Sequence, residues 1–253
     1  MLFVGTSGWQ YPHWRGVFYP ARLPQRRWLP YLAERFRTVE VNNTFYNLPE
    51  KSVFEQWRAA TPPDFVFTLK MSRYLTHLKR LRDPAGPVQL FLERAGGLGD
   101  KRGPILVQLP PRMRANTGLL DAALAMFEPS IRVAVEFRDE SWFTDDTRAV
   151  LERHCAALCL ADSPRRRQPT WRTAEWGFLR FHEGAGPGAP GYERAALRRW
   201  IELVAATFTA EEDVYAYFNN DAFGYAIKDA VTFAELAGEA GLSPTRVPPA
   251  DVA

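Results

Sequence analysis

Charged side chains recur near the ends of short apolar segments in this chain of 253 residues. Glu40 lies near the end of one such segment, Lys70 ends another, and Glu136 and Arg180 lie in two more. A carboxylate can accept or donate a proton in catalysis, while lysine and arginine bind phosphate and carboxylate groups. Together these residue types indicate acid or base chemistry on an anionic molecule. The candidates in such positions are Glu40, Lys70, Glu136, Arg138, Asp162, Arg180 and His182.

The loops after the first and third apolar segments add further candidates. Trp9 and Tyr11 belong to an aromatic-rich stretch that could stack a sugar or a base, or could equally fill the core. Arg73 and His77 follow the third segment, and Arg73 would hold an anion together with Lys70. Three amides occupy comparable strand positions and complete the candidate substrate-binding set, namely Asn42, Gln108 and Asn219.

Parallel strands must position these side chains. Apolar segments of strand length occur at residues 2–6, 38–42, 65–70, 104–109, 132–137, 157–162, 177–182 and 213–219, and amphipathic segments of helical length separate most of them. Eight strands that alternate with helices predict an α/β protein, a single TIM-type (β/α)8 barrel. Residues two apart in a strand share a face, so we expect the charged side chains to converge at the C-terminal mouth of the barrel, where enzymes of this fold have their active sites.

One of the eight helices is expected to be degenerate or missing. The segment between the sixth and seventh strands contains Pro164, Pro169 and the run Arg165–Arg167, which are typical of a solvated loop. No change in composition marks a domain boundary, so residues 1–253 are predicted to form one domain. The proline-rich residues 242–253 are predicted to be a loosely held tail.

Composition limits the classes of partner and compartment. A net charge of +3 is too small to indicate a nucleic-acid or membrane binder by itself, and no apolar run reaches the roughly 20 residues of a membrane span. The first residues lack the features of a signal peptide, and Cys155 and Cys159 cannot frame a secreted domain. We interpret both cysteines as buried small residues and expect a soluble, cytoplasmic protein. The sequence leaves its oligomeric state open.

Cofactor chemistry has little support in the sequence. Glycine-rich nucleotide-binding patterns and a GxSxG nucleophile motif are absent, and we predict no cofactor. A divalent metal ion could bind through Glu40, Glu136, Asp162 and His182. Barrel metal sites usually contain more histidine than these four residues provide, so we assign no metal ligand.

An ordered series of motifs resembles one family from residue 5 to about residue 230. The motifs are Gly5-Thr6-Ser7-Gly8-Trp9, Phe18-Tyr19-Pro20, Val39-Glu40-Val41-Asn42-Asn43-Thr44-Phe45-Tyr46, Phe67-Thr68-Leu69-Lys70, Leu75-Thr76-His77, Gln108-Leu109-Pro110-Pro111, Val135-Glu136-Phe137-Arg138 and Tyr217-Phe218-Asn219-Asn220-Asp221. They are similar to those of the YecE-like family, a family of unknown function. The resemblance implies a TIM-barrel fold and puts the family's motif residues on the polar candidates named above, but it implies no activity. The chain departs from the family's Arg-x-His-Gly pattern at Glu183, which separates His182 from Gly184.

Three functions remain compatible with these residues. The first is an enzyme of hydrolase, lyase or isomerase class that acts on a small phosphorylated or sugar-like anion, with Glu40, Glu136, Asp162 and His182 as candidate catalytic residues. Glu40 or Glu136 would be the general acid or base, and Glu136 is expected to be ionised because Arg138 is two residues away. The second is a nucleic-acid binding or processing protein, since the resemblance implies distant kinship to barrel-type abasic-site endonucleases. The third is a metabolite-binding protein without catalysis.

Overall fold

Eight parallel strands form a closed barrel in the computed structural model, which describes residues 1–162, 168–184 and 189–249. The strands pair in chain order, and β1 closes the barrel by pairing with both β2 and β8. Their bounds are β1 Leu2–Ser7, β2 Thr38–Val41, β3 Val66–Lys70, β4 Arg102–Gln108, β5 Val133–Glu136, β6 Ala157–Asp162, β7 Trp176–Phe181 and β8 Asp213–Phe218. The topology confirms the predicted TIM-type barrel, and each strand overlaps one predicted apolar segment.

Helices follow most of the strands. The α-helices are α1 Trp28–Arg35, α2 Asn43–Tyr46, α3 Lys51–Ala59, α4 Ala85–Ala95, α5 Thr117–Leu124, α6 Asp145–Arg153, α7 Arg194–Thr207 and α8 Tyr225–Glu239. Short 3-10 helices occupy Pro12–Trp14, Gln25–Arg27, Gly96–Lys101, Glu140–Trp142 and Ala222–Gly224, and a π-helical turn occupies Tyr74–Leu78. No helix lies between β6 and β7 in the described residues 168–175, in agreement with the expected missing helix. The run Arg165–Arg167 lies outside the described residues.

Aromatic packing on the outside of the barrel fixes which strand residues face inward. The rings of Phe181 and Phe218 stack with centroids 4.4 Å apart, and both pack against Phe233 of α8. Because neighbouring residues of a strand point to opposite faces, the outward direction of Phe181 turns Arg180 into the barrel. The same alternation on the other strands carries charged side chains to the inner face.

The side chains inside the barrel become more polar from its base to its mouth. Near the base, the rings of Phe3 and Tyr215 stack with centroids 4.6 Å apart. In the next layer, the hydroxyl oxygen of Tyr217 lies 2.7 Å from Thr38 Oγ1 and 2.6 Å from Thr68 Oγ1. Charged residues occupy the layer at the C-terminal strand ends. Apolar packing therefore holds the lower barrel, and polar contacts organise the end at which such barrels bind ligands.

The chain after α8 returns to the base of the barrel and pairs with β1. The backbone N–H of Leu2 donates to Ser243 O at 2.9 Å, and the N–H of Thr245 donates to Leu2 O at 2.7 Å. The N–H of Val4 donates to Thr245 Oγ1 at 3.2 Å. Residues 243–245 of the predicted tail therefore satisfy backbone groups of β1, while residues 250–253 lie outside the described residues.

Two further expectations concern burial and membranes. Cys159 is buried inside the barrel, but Cys155 is exposed in the turn before β6, where its φ is +48°. The interpretation of both cysteines as buried is therefore wrong for Cys155. Among the described residues, every helix is too short or too polar to cross a membrane.

Candidate active site at the barrel mouth

Arg180 joins two carboxylates across the barrel. Its guanidinium is only 1% exposed, and its Nη2 donates to Glu40 Oε1 while its Nη1 donates to Glu136 Oε2, both at 2.6 Å. Glu40 is on β2, Glu136 on β5 and Arg180 on β7. Because all three groups are buried, each depends on the others for compensation of its lost hydration. The triad forms a rigid, charged floor beneath the mouth.

Glu136 accepts more hydrogen bonds than Glu40 does. Besides Arg180, Gln108 Nε2 donates to it at 2.8 Å and Arg138 Nε donates at 3.0 Å, and His182 Nε2 lies 3.7 Å from its Oε1. Burial opposes ionisation, but Arg180, His182 and Arg138 outweigh it and hold the pKa of Glu136 well below its ordinary value. Glu136 is therefore ionised, and its oxygens accept hydrogen bonds from Arg180, Arg138 and Gln108.

Four buried polar atoms at the strand ends lack a hydrogen-bond partner among the described residues. They are Ser7 Oγ, Glu40 Oε2, Asn42 Oδ1 and Arg180 Nε. Ser7 and Glu40 are direct neighbours in the pairing of β1 with β2, and Asn42 Nδ2 lies 3.4 Å from Ser7 O. Leaving such a group unsatisfied costs about 1–3 kcal/mol, so native proteins keep few of them. Among the described residues, nothing supplies the hydrogen bonds that these three acceptor-capable oxygens and one donor of the floor could make.

A cavity of about 510 Å³ opens above this floor, a volume typical of small-molecule sites. Nine of the predicted residues line it: Tyr11, Asn42, Lys70, Arg73, His77, Gln108, Arg138, Arg180 and Asn219. Four of them are lysine or arginine, and no Asp or Glu belongs to the described lining. The wall of the cavity is therefore more basic than the floor beneath it, where Arg180 already neutralises much of the negative charge.

Lys70 lies at the end of β3, and no carboxylate of the described residues forms an ion pair with it. Its side chain is 7% exposed, and its Nζ lies 4.4 Å from the ring centroid of Phe45. Burial, reinforced by the positive charge of Arg180, lowers the pKa of Lys70 to about 8. Near neutral pH a fraction of these amines is therefore uncharged, and an uncharged amine can accept a proton or attack an electrophile.

His77 lines the same cavity but contributes no charge. Its Nδ1 lies 2.9 Å from Thr76 Oγ1, and its ring meets the ring of Phe45 edge-on at 4.9 Å. Burial, together with the nearby Lys70 and Arg138, lowers the pKa of His77 to about 4. The imidazole of His77 is therefore neutral near pH 7, because burial and the neighbouring cations disfavour its charged form.

His182 lies deeper, beside the triad. Its Nδ1 is 3.1 Å from Asn219 Nδ2 and its Nε2 is 3.4 Å from Arg180 Nη1. Burial lowers the pKa of His182 despite its contact with Glu136. The ring therefore lies between Asn219 and Arg180, and its burial disfavours the protonated form.

Asp162 does not join the other candidates. The pairing of β6 with β7 puts Ala161 opposite Arg180 and Asp162 opposite Phe181. Ala161 therefore faces the barrel interior, and Asp162 faces outward with Phe181. Its Oδ2 accepts a hydrogen bond of 2.6 Å from the hydroxyl of Tyr192, and it lines a separate cavity of about 420 Å³. The expectation that Asp162 converges with the other charged residues is wrong. It required the side chain of Asp162 to lie on the inner face of β6, whereas the strand pairing puts it on the outer face.

The aromatic loop after β1 divides between core and cavity. Trp9 is buried in the core, and its ring meets that of Trp57 edge-on at 5.3 Å. Tyr11 lines the cavity and its hydroxyl donates to Ser7 O at 2.6 Å. Glycine at position 8 permits this loop conformation. Its φ is +102°, and a Cβ there would lie 2.9 Å from the Tyr11 hydroxyl oxygen. Trp9 is therefore a packing residue rather than a substrate-binding one.

Sequence reasoning missed two aromatic residues of the cavity wall. Phe45 and Tyr46 belong to α2, a single helical turn that begins directly after β2. Phe45 contacts both Lys70 and His77, while Tyr46 is exposed at the rim. Their position directly after a strand end was the available signal. Among the described residues, no group of three or more His, Cys, Asp or Glu side chains is arranged to hold a metal ion.

Comparisons with known proteins agree with this architecture. A family model described as "Protein of unknown function DUF72" matches residues 3–251. A solved structure of a DUF72 family protein from Thermotoga maritima is similar over 94% of this chain and 99% of its own, with a TM-score of 0.82 and 27% identity. No curated protein matches the chain.

More distant structures share the fold. A DUF72 family protein from Enterococcus faecalis matches 98% of this chain and 98% of its own, with a TM-score of 0.79 and 19% identity. A structure named SacUVDE matches 96% of this chain and 100% of its own, with a TM-score of 0.61 and 10% identity. At these identities the similarity establishes the barrel and leaves the chemistry of the mouth to be argued from its residues.

Proposed function

The chain belongs to the DUF72 family, the YecE-like family that its motifs resemble, and we propose that it is an enzyme for a small anionic substrate. The substrate is phosphorylated or sugar-like and binds in the barrel mouth, where general acid and base groups act on it. The observation that carries this proposal is the basic wall of the 510 Å³ cavity above carboxylates that Arg180 already pairs.

Charge balance supports an anion rather than a cation as the ligand. The floor holds two carboxylates, Glu40 and Glu136, and Arg180 lies between them. The cavity wall adds Lys70, Arg73 and Arg138. Glu136 engages Arg138 through Nε, whereas Lys70 and Arg73 have no carboxylate partner among the described residues. Phosphate or carboxylate oxygens would supply the missing acceptors.

We assign proton transfer to side chains that have an atom without a hydrogen-bond partner among the described residues, or that line the cavity. Glu136 is fully hydrogen-bonded, so we assign it to positioning Arg180 and Arg138. Glu40 Oε2 has no hydrogen-bond partner among the described residues, and Glu40 is the general base or acid that we favour. The neutral imidazole of His77 and the amine of Lys70 line the cavity and can relay the proton. Asp162 has no part in this scheme, because it faces the other cavity.

Matched ligand pairs test the proposal. We expect phosphorylated sugars to raise the melting temperature more than the same sugars without phosphate, and one of them to be converted when followed by 31P and 1H NMR. Glu40→Gln should abolish conversion, while Glu152→Gln, an exposed carboxylate of α6, should leave it unchanged. Stabilisation without conversion would favour a metabolite-binding protein. Absence of both effects across the panel would refute the proposal.

Nucleic-acid binding is a second candidate, and one observation favours it. Three aromatic side chains in the loops at the mouth end are largely exposed: Tyr46 at 69%, Tyr74 at 52% and Phe223 at 81%. Exposed rings beside basic groups can stack on bases while the cations contact phosphates. Titrations with single-stranded, duplex and abasic DNA across a salt series distinguish this candidate. Affinity that falls steeply with salt would support it, and no binding at low salt would exclude it.

A further inference from the structure

We propose that Lys70 forms a covalent imine with an aldehyde or ketone carbon of the substrate. This inference rests on the proposed function, because the same cavity must bind the anionic group of that molecule. It narrows the substrate class to a carbonyl compound that carries a phosphate or a carboxylate. It also narrows the reaction class, since an imine acts as an electron sink and makes the neighbouring C–H or C–C bond easier to break.

The position of the amine is the first support. Lys70 is the last residue of β3, on the inner face of the barrel, and it lines the cavity while only 7% exposed. Both carboxylates of the floor are bound to Arg180 at 2.6 Å. Among the described residues, no oxygen accepts a hydrogen bond from Lys70 Nζ, and its near contact is the ring of Phe45 at 4.4 Å. A lysine kept for structure would have oxygen acceptors instead.

The charge state of the amine is the second support. An amine must be uncharged to attack a carbonyl carbon, and a hydrophobic wall next to another cation favours that form. Phe45 and Arg180 provide these two conditions. With a pKa of about 8, roughly half of the Lys70 amines are uncharged at pH 8, against well under one in a hundred for an ordinary lysine.

The covalent step balances without a further reagent. The Nζ lone pair forms a bond to the carbonyl carbon, and the C=O π electrons move to oxygen. The proton that Nζ loses passes to that oxygen, with the neutral imidazole of His77 as the relay, which yields a carbinolamine. A proton from water then lets the hydroxyl leave as H2O while the nitrogen lone pair forms C=N. The sum is one amine and one carbonyl giving one protonated imine and one water, with that proton taken from solvent.

Reductive trapping tests the inference on the unmodified protein. Pyridoxal 5′-phosphate carries an aldehyde and a phosphate, and pyridoxal carries only the aldehyde. Each is incubated with the protein, reduced with cyanoborohydride, and mapped by peptide mass spectrometry. The chain has five lysines, at positions 51, 70, 79, 101 and 228, so every site is resolved. Lys101, which is equally buried, controls for burial alone.

We expect pyridoxal 5′-phosphate to modify Lys70 about tenfold faster or more than Lys51, Lys79 or Lys228 at pH 7.5. Its rate should rise with pH to a midpoint near 8. Inorganic phosphate should slow it in competition. Equal rates at Lys70 and at these three lysines, or modification only above pH 10, would overturn the inference.

The failure of the inference can be told apart from failure of the proposed function. If inorganic phosphate binds by calorimetry but Lys70 is not modified preferentially, the anion site stands and the imine does not. If Lys70 is modified preferentially by both probes at the same rate and phosphate neither binds nor competes, the nucleophile stands and the anion site fails. Lys70→Arg, which keeps the charge, should lose the modification and keep phosphate binding.

Discussion

The two ends of the barrel each bury a lysine, and the two amines are held very differently. Lys101 lies at the base before β4, and its Nζ donates to Arg58 O at 2.7 Å, to Thr61 O at 2.6 Å and to Thr61 Oγ1 at 3.1 Å. Lys70 lies at the mouth with the same exposure of 7% and no such acceptors among the described residues. Burial lowers the pKa of both, but only Lys101 has three oxygens that keep the proton in place.

A similar contrast holds between a half-exposed arginine at the base and a buried arginine at the mouth. At the base, Arg132 Nη1 donates to Asp213 Oδ2 at 2.7 Å and to Tyr215 Oη at 3.0 Å. At the mouth, the Nε of Arg180 and the free oxygen of Glu40 are buried without partners among the described residues. At the base, the Lys101 amine and Arg132 Nη1 both have hydrogen-bond acceptors and serve stability. Polar groups at the mouth are partly unsatisfied, which costs stability and leaves atoms available to a ligand.

The largest expected effect tests whether the floor of the mouth also serves stability. Glu136→Gln removes the charge that Arg180 and Arg138 share, and it leaves the buried guanidinium of Arg180 with Glu40 as its one remaining carboxylate among the described residues. We expect the free energy of unfolding to fall by about 3 kcal/mol, measured by urea denaturation at pH 7. Glu152→Gln, whose exposed carboxylate pairs with Arg148, should change it by less than about 0.5 kcal/mol. Equal small effects would mean that the triad is not a structural floor.

The two lysines provide the next test of the comparison. Lys101→Met leaves three oxygens without their donor, so we expect it to lower the free energy of unfolding by about 2 kcal/mol. Lys70→Met removes a buried cation for which the described residues supply no acceptor, so stability should stay the same or increase. Urea denaturation of both variants at pH 7 measures the difference. A loss at Lys70 as large as that at Lys101 would contradict the contrast between the two ends.

The charged residues of the mouth could largely be predicted from the sequence, because side chains alternate between the two faces of a strand. Position within the strand was enough to predict that four side chains meet at one end of the barrel, namely those of Glu40, Lys70, Glu136 and Arg180. Asp162 escaped this reasoning because its face depends on the pairing of Ala161 with Arg180, which a single strand does not encode.

Charge states and burial in loops were harder to predict. The neutral state of His77 depends on Lys70 and Arg138, which are distant in sequence. The burial of Trp9 depends on Trp57 of α3, and the exposure of Cys155 on a turn with positive φ. Each of these outcomes comes from contacts between separate elements, for which sequence periodicity has no signal.

The pH dependence of stability sharpens the comparison at the mouth. The pKa of Lys70 is lower in the folded protein than in the unfolded chain, so the unfolded chain binds more protons between about pH 8 and pH 10.5. Stability therefore rises with pH through this window as the folded-state amine loses its charge. Relative to Lys70→Met, the wild type should gain about 1 kcal/mol between pH 7 and pH 9. Lys51→Met, exposed at the start of α3, is the control for changes common to all variants. A constant difference between wild type and Lys70→Met would show that the amine keeps its ordinary affinity for protons.

The smallest expected effect on stability is at Arg73, and it separates binding from folding at the same cavity. Arg73 is exposed and lacks a carboxylate partner among the described residues, so Arg73→Ala should change the free energy of unfolding by less than about 0.5 kcal/mol. The same side chain lines the cavity with Lys70 and Arg138, where it would contact a phosphate oxygen. We therefore expect phosphate to bind about tenfold more weakly, a change of about 1.4 kcal/mol.

Thermal melts of the wild type, Arg73→Ala and Glu136→Gln, each with and without phosphate, measure both quantities together. Arg148→Ala, which removes an exposed arginine of α6, controls for loss of positive charge alone. Arg73→Ala should keep the melting temperature of the wild type and lose most of its response to phosphate, whereas Glu136→Gln should melt earlier in either condition. If Arg73→Ala and Glu136→Gln are equally destabilised and phosphate changes none of the melts, the mouth is a closed ion network like the base. The unpartnered atoms of its floor would then require an explanation other than a ligand.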